Sequence, residues 1–324
     1  MNVTGGAPAV LSLRRPTTSA AADAAEPWEA PVKRRDRQRV ERMLPGRPFR
    51  PSRPEDVPAG ALPGLEAVCG PLALDRLYVL PRTLRLVSPL DSVISPTEVL
   101  AFGDEAVGLW IDRGDDAPLV ISTPIDRLLA VEDRAILLYG RLRLLGSDFQ
   151  IVARYSTVTR DELAPNLVAL RARMATVPEA VVSDFIWLNS RGAAGAPADL
   201  PYKWRLILES RTTRPNPGES LAIAVGDLRE IPKGRLRAAS GVAVLSPGEL
   251  VIATEPIDWL DKVRYGVDVL AVPRHSLDRL SWDGRHLTVW LRDATRGATS
   301  VALPLDLSLV EAMGRAFGMS VRWG

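Results

Sequence analysis

Ser95-Pro96-Thr97-Glu98-Val99-Leu100 returns 151 positions downstream as Ser246-Pro247-Gly248-Glu249-Leu250-Val251. Ile125-Asp126-Arg127-Leu128 returns 152 positions downstream as Leu277-Asp278-Arg279-Leu280. A slip of a single residue relates the two echoes, which predicts two copies of one module and explains the architecture without invoking chemistry. The 324-residue length and 46% apolar composition allow two hydrophobic cores.

Working outward from the echoes, short apolar runs broken by turn residues predict strands. In the first copy these are Glu98 to Phe102, Ala106 to Ile111, Leu119 to Thr123, Ala135 to Tyr139, Arg141 to Leu145 and Gln150 to Tyr155, with Gly140 and Gly146-Ser147-Asp148 as breakers. A helix closes the copy, with Thr159 as cap, Glu162 completing a capping box, and Leu163, Leu167, Leu170 and Met174 at helical spacing. The second copy repeats the grammar with Trp204 to Leu208, Leu221 to Val225, Gly241 to Leu245, Leu250 to Thr254 and Val267 to Val272. Asp283-Gly284 between two apolar strands predicts a type I′ hairpin. Asp306 then caps a last helix with Val310, Met313 and Phe317 as its apolar stripe and Gly318 as its stop.

The expected plan is a disordered basic, Pro-rich tail over 1–65, a first β-module with its helix over 66–176, a linker over 177–201, and a second β-module with its helix over 202–324. The tail is too poor in periodic hydrophobicity to offset the entropy of ordering. Within it Lys33 to Arg42 has the makings of a transient helix, which Pro45 and the prolines after it cannot continue.

Ser122-Thr123-Pro124-Ile125-Asp126-Arg127-Leu128 with its following hairpin, and Val272-Pro273-Arg274-His275-Ser276-Leu277-Asp278-Arg279-Leu280-Ser281-Trp282 with Asp283-Gly284, resemble the pleckstrin-homology superfold in its small bacterial form. The match covers about half of each copy. It implies a mainly β, α+β chain of two related pleckstrin-homology-like or small-barrel modules, and a binding or assembly role, since this superfold hosts lipid, peptide and protein recognition without a defining catalytic residue.

Charge balance removes some functions. With 41 basic and 39 acidic side chains there is no global field pointing to nucleic acid. Cys69 is the single cysteine, so neither an internal disulfide nor a zinc-ligand spacing exists. No secretory h-region opens the sequence and no run of about eighteen apolar residues crosses a bilayer, so a cytoplasmic protein, peripheral at the membrane at most, is expected.

His275 and His286 have no nucleophile in a convincing relation, because Ser276 beside His275 would point to the other face of a strand. Asp112, Asp115 and Asp116 around Gly114 lack the spacing and terminal Glu of a calcium loop and read as a hairpin turn. Asp126-Arg127 and Asp278-Arg279 read as strand-ending, turn-capping pairs. No Gly-rich phosphate cradle is present. The expectation is a non-enzyme without cofactor or metal.

Two binding candidates remain. Lys33 to Arg53 carries nine cations against two acids, among them Lys33, Arg34, Arg35, Arg37, Arg39 and Arg42, and suits an anionic lipid surface at about 1 kcal/mol per cation. Arg274, Arg279, Trp282, Arg285 and Trp290 gather around the Asp-Gly turn, and both tryptophans are expected on one hairpin face, suiting a partner protein or a stacked base. The leading expectation is a binding or scaffold protein engaging a protein partner or an anionic membrane surface. The alternative is a nucleic-acid binder using the basic tail and the Trp/Arg hairpin.

Overall fold

Apolar runs of four to nine residues, rich in Val, Leu and Ile, fold as strands when each can bury at least one face. The computed structural model describes residues 29–36, 38, 47–86, 92–114, 116–136, 139–146, 149–175, 204, 207, 222–226, 241–256, 266–284, 286–292, 299–305, 307–317 and 322–323. It is mainly β with a few helices, an α+β chain.

Strand β1 (Ala30–Val32) pairs with β4 (Ser92–Ser95), which also pairs with β3 (Thr83–Leu86). Strands β2 (Leu77–Leu80), β5 (Glu98–Phe102), β6 (Ala106–Ile111) and β7 (Leu119–Pro124) form an antiparallel sheet in the order β2-β5-β6-β7. Helix α1 (Ala61–Cys69) lies on it. A 3-10 turn over Ile125–Arg127 leads to β8 (Leu128–Ile136), β9 (Tyr139–Gly146) and β10 (Gln150–Ser156), then to helix α2 (Arg160–Ala175). The later half repeats the order: β11 (Ala222–Val225), β12 (Gly241–Leu245), β13 (Glu249–Thr254) and β14 (Gly266–Pro273) form four antiparallel strands. A 3-10 turn over Arg274–Ser276 follows, then β15 (Leu277–Trp282), β16 (His286–Leu291), β17 (Thr299–Pro304) and helix α3 (Leu307–Phe317). Strand β18 (Arg322–Trp323) returns to pair in parallel with β15.

The equivalence of the halves is pinned by backbone detail. Pro124 (φ −59, ψ 142) and Pro273 (φ −55, ψ 141) each precede the 3-10 turn. The next N–H donates to the turn of a preceding hairpin, Ile125 to Glu105 O at 2.8 Å and Arg274 to Gly248 O at 2.9 Å. A β-bulge then follows at Leu128/Ala130 and at Leu277/Arg279. Leu128 therefore takes the same place in its half as Leu277, 149 positions on, and the echoed phrases of the sequence are out of register with this correspondence. Ile125-Asp126-Arg127 is the 3-10 turn, whereas Leu277-Asp278-Arg279 is strand. Glu98 opens β5, but Glu249 opens β13, whose counterpart by strand order is β6.

The halves are fused. Strand β8 pairs antiparallel with β14, from Gly266 opposite Ile136 to Ala271 opposite Val131, giving one seven-stranded sheet in the order β10-β9-β8-β14-β13-β12-β11. Helix α2 covers one face, burying Leu163, Leu167, Leu170 and Met174 against Val131, Val269 and Ala271. Helix α3 covers the later part of the opposite face with Val310, Met313 and Phe317.

Several sequence expectations are corrected here. The tail does not run to residue 65 as disorder: β1 pairs with β4, and Val57, Ala61 and Leu65 enter a core with Trp110 and Val99. Phe49 and Val79 exchange backbone hydrogen bonds of 3.0 and 2.8 Å, so the Pro-rich stretch borders β2 as an extra pairing. Residues 1–28, and most of the anticipated Lys33–Arg42 helix beyond a 3-10 turn at Arg34–Asp36, fall outside the described residues. So does the linker 177–201. Trp204 and Ile207 are helical and buried rather than strand. Glu162, expected to complete a capping box, instead accepts the Arg50 N–H on its carboxylate at 2.7 Å. Gly140 lies inside β9, where it leaves room for the Tyr155 ring that crosses it. At the hairpin tip the Asp283 N–H donates to His286 O at 3.3 Å and Gly284 takes φ +91, so Asp283 flanks the turn rather than standing in its central pair.

Cys69 is buried where α1 meets β6, and Gly108 makes the approach possible, since a Cβ there would sit 2.7 Å from the Cys69 Sγ. Burial pushes the thiol pKa up to about 11. Cys69 is therefore expected to resist a disulfide-exchange reagent at neutral pH and to react once urea lifts α1; a labelling time course in the two conditions checks this, and equal rates would place Cys69 at the surface.

Candidate functional site

Charged residues inside a sheet are costly unless paired, so the densest buried set is where the chain concentrates its chemistry. That set lies on the seam between the two halves. Paired residues on neighbouring strands share a face, and the register puts Glu132 opposite Arg143, and Arg134 opposite both Arg141 and Asp268. Arg134 holds Asp268 bidentately, Nε to Oδ1 at 2.8 Å and Nη2 to Oδ2 at 2.6 Å. Glu132 accepts from Arg141 Nη2 at 3.1 Å and from Arg143 Nη1 at 2.5 Å. Burial lowers the Arg143 pKa from its ordinary value, and Glu132 opposes that shift.

The other face carries Asp133. It accepts hydrogen bonds from the Tyr155 hydroxyl and from Arg160 Nη2, the latter at 2.7 Å. Burial, and then the charge of Asp133, push the Tyr155 phenol far above its usual range, so it stays a neutral donor. On the same face Arg171 of α2 reaches across to Glu249 of β13, Nη2 to Oε1 at 2.6 Å and Nε to Oε2 at 3.1 Å. Asp133, Arg160 and Arg171 border a cleft between α2 and the sheet whose remaining lining is apolar, including Val131, Leu167 and Val269.

Two bidentate pairs thus cross the seam, one on each face. Each carboxylate is held by a guanidinium and each guanidinium by a carboxylate, a set suited to fixing geometry. Among the described residues no group of three or more His, Cys, Asp and Glu side chains is placed to hold a metal ion.

The residues expected to bind a partner are scattered. Lys33 is exposed, Arg35 is exposed beside Asp36 at 3.8 Å, and Arg34 lies in a 3-10 turn. Arg37, Arg39, Arg42 and Arg285 fall outside the described residues. Trp282 and Trp290 do not share a face: Trp282, paired with Leu287, is 3% exposed in the core, whereas Trp290 lies on the outer face. The odd residues 287, 289 and 291 point inward, and the even ones outward. Trp290 donates from Nε1 to Ser281 Oγ at 2.9 Å, and Arg279 lies over its ring at 4.4 Å from the centroid, with Asp278 at 3.2 Å. Trp282 is therefore removed from any binding surface, and one face of the Trp290 ring is covered by Arg279. Arg274 is half-buried, its pKa lowered to about 10 by desolvation, and so remains a cation at neutral pH. Desolvation also lowers His275, and His286 faces Asp283 at 3.5 Å. Asp112 accepts the Gly114 N–H at 2.9 Å with Gly114 at φ +72, the hairpin turn expected there.

The sequence reading missed Glu132, Asp133, Arg134, Arg141, Arg143, Arg171 and Asp268. One signal was present: Arg141-Leu142-Arg143 and Glu132-Asp133-Arg134 place charges two apart on strands, which puts them on one face. No helix among the described residues is long and apolar enough to cross a membrane. No protein-family model matches the chain, and no curated protein does.

Proposed function

We propose that the chain is a non-catalytic binding or scaffold protein made of two pleckstrin-homology-like modules, engaging a protein partner or an anionic membrane surface. The observation that carries this reading is how the buried charges are used. Arg134 with Asp268, Arg171 with Glu249, and Glu132 with Arg141 and Arg143 are spent on one another across strands and between the halves. Such pairs contribute little net stability but fix a unique arrangement. A scaffold needs a fixed angle between its modules; a reaction centre needs a polar group aimed at open space. A four-stranded antiparallel set, a 3-10 turn, three strands and a helix, occurring twice, with β3 and β4 inserted between the first two sheet strands of the early half, support the superfold assignment. Lys33 and Arg35, exposed beside β1, support an anionic surface as the ligand.

Sedimentation with vesicles of phosphatidylserine and phosphatidylcholine tests the reading. Full-length protein is expected to pellet with anionic vesicles at low salt and to be released at high salt, because the attraction is screened. Replacing Lys33, Arg34 and Arg35 with alanine is expected to reduce the pelleted fraction. Indifference to lipid charge directs the proposal to the protein partner. Turnover of phosphate or carboxylic esters that is lost in Asp133→Asn, with the fold intact, overturns it.

A further inference from the structure

The seam between the halves joins unlike edges. Its two strands are β8, the first strand of the three-stranded part of the early half, and β14, the last strand of the four-stranded part of the later half. Their counterparts are β15 in the later half and β7 in the early half. A contact between unlike surfaces leaves one copy of each unused at the two ends, and so can be repeated from molecule to molecule. We propose that the chain associates head to tail, with β7 of one copy adding to β15 of the next, and that β18 caps this contact by occupying the β15 edge.

Three observations support it independently of what the protein binds. First, β7 pairs with β6 along its whole length, and no described strand lies on its other side. Its residues, Leu119-Val120-Ile121-Ser122-Thr123-Pro124, include no charge, and their pairing with β6 has no bulge. Edge strands are ordinarily protected by charges, bulges or prolines; the one proline of β7, Pro124, stands at its last position, beyond the transferred pairing that ends at Ser122, so the edge from Val120 to Ser122 is a template for another strand. Second, the register transfers. Superposing β14 on β7 through Pro273 and Pro124, and β8 on β15 through Leu128 and Leu277, carries the Ala271–Val131 pair onto Ser122 opposite Leu280. The same step puts Ile121 opposite Ser281 and Val120 opposite Trp282. Third, β18 pairs with β15 at Ser281 and Trp282, two of the three β15 residues that the transferred register assigns to the incoming strand. Two residues of pairing make a short, displaceable cap.

The contact between copies is weaker than the seam inside one. The position of Asp268 passes to Leu119, and that of Arg134 to Asp283, so no ion pair forms there. Association is therefore reversible and set by concentration and by the state of β18.

Sedimentation velocity of the full-length chain across a protein dilution series tests this. Arg322→Pro with Trp323→Pro removes the β18 donors and is expected to populate dimers and longer species at protein concentrations at least about tenfold below those needed by the wild type. Ser122→Lys in that background adds a charge to the β7 edge and is expected to restore the monomer. In the wild-type chain, hydrogen exchange at the Val120 to Ser122 amides is expected to slow as concentration rises. The proposal is overturned if the proline variant sediments as the wild type does, if its association survives Ser122→Lys, as aggregation of a misfolded chain would, or if exchange at Val120 to Ser122 is independent of concentration.

Discussion

Replacing Arg171 with alanine is expected to cost about 3–5 kcal/mol, the range for removing one member of a buried ion pair. Arg171 and Glu249 are 7% and 4% exposed, and the guanidinium meets the carboxylate through two hydrogen bonds. Loss of the cation removes the bidentate partner of a buried carboxylate at the head of β13, where the Glu249 N–H is engaged with Ser246 Oγ at 3.0 Å. The hairpin Ser246-Pro247-Gly248 packs against the end of α2, since a Cβ at Gly248 would lie 3.0 Å from that of Ala175. The variant therefore loosens α2 from the later half as well as lowering stability. Replacing both partners, Arg171→Met with Glu249→Leu, is expected to cost far less, because the desolvation of both charges disappears along with their attraction. Urea unfolding of the two single variants and the double variant forms a cycle whose coupling term measures the pair. A single-variant loss below about 1 kcal/mol, the value of an exposed pair, would show that water reaches the site.

The strands of this fold were legible where alternation or a short apolar run was bounded by Gly, Pro or Asp. Glu98–Phe102, Ala106–Ile111, Gly241–Leu245 and His286–Leu291 coincide with the expected runs. The apolar stripes of α2 and α3 were legible because helical spacing places Leu163, Leu167, Leu170 and Met174, or Val310, Met313 and Phe317, on one face whatever they meet. What failed was pairing over distance. Leu128 to Arg134 is strand although Glu132-Asp133-Arg134 looks like a surface break, because cations arrive from β9 and α2 and a carboxylate from β14, which sequence proximity does not reveal. Glu162 fits a capping box by spacing, yet a backbone N–H 112 residues away reaches it. The two echoes suggested duplication from short phrases that the fold places out of register, while the features that do correspond, a proline before a 3-10 turn and a bulge after it, impose few side-chain identities. The site was less legible than the fold for the same reason: every residue of the seam network is defined by a partner on another strand or helix.

Replacing Gly266 with alanine is expected to cost about 3 kcal/mol, the upper part of the range for overpacked positions. Gly266 begins β14 opposite Ile136, and a Cβ there would lie 2.0 Å from the carbonyl oxygen of Ala135 and 3.0 Å from the Ile136 Cα. Both obstacles are backbone atoms of β8, so no side-chain rotation relieves the clash, and the strands must part at the end of the seam. Gly284→Ala is the informative contrast. Its φ of +91 disfavours alanine, but nothing lies within 4 Å of the added methyl, so the cost is confined to about 1–2 kcal/mol of left-handed strain. The consequence of the Gly266 change extends to the ion pair, because Asp268 lies two residues on and on the same face. Parting β14 from β8 draws its carboxylate away from the Arg134 fork. Asp268→Ala in the Gly266→Ala background is therefore expected to cost less than Asp268→Ala alone, with thermal unfolding as the measurement. Full additivity would mean that the Arg134–Asp268 pair survives the clash and still ties β8 to β14, so that the strands part only at Gly266 and both seam-crossing pairs go on setting the two halves.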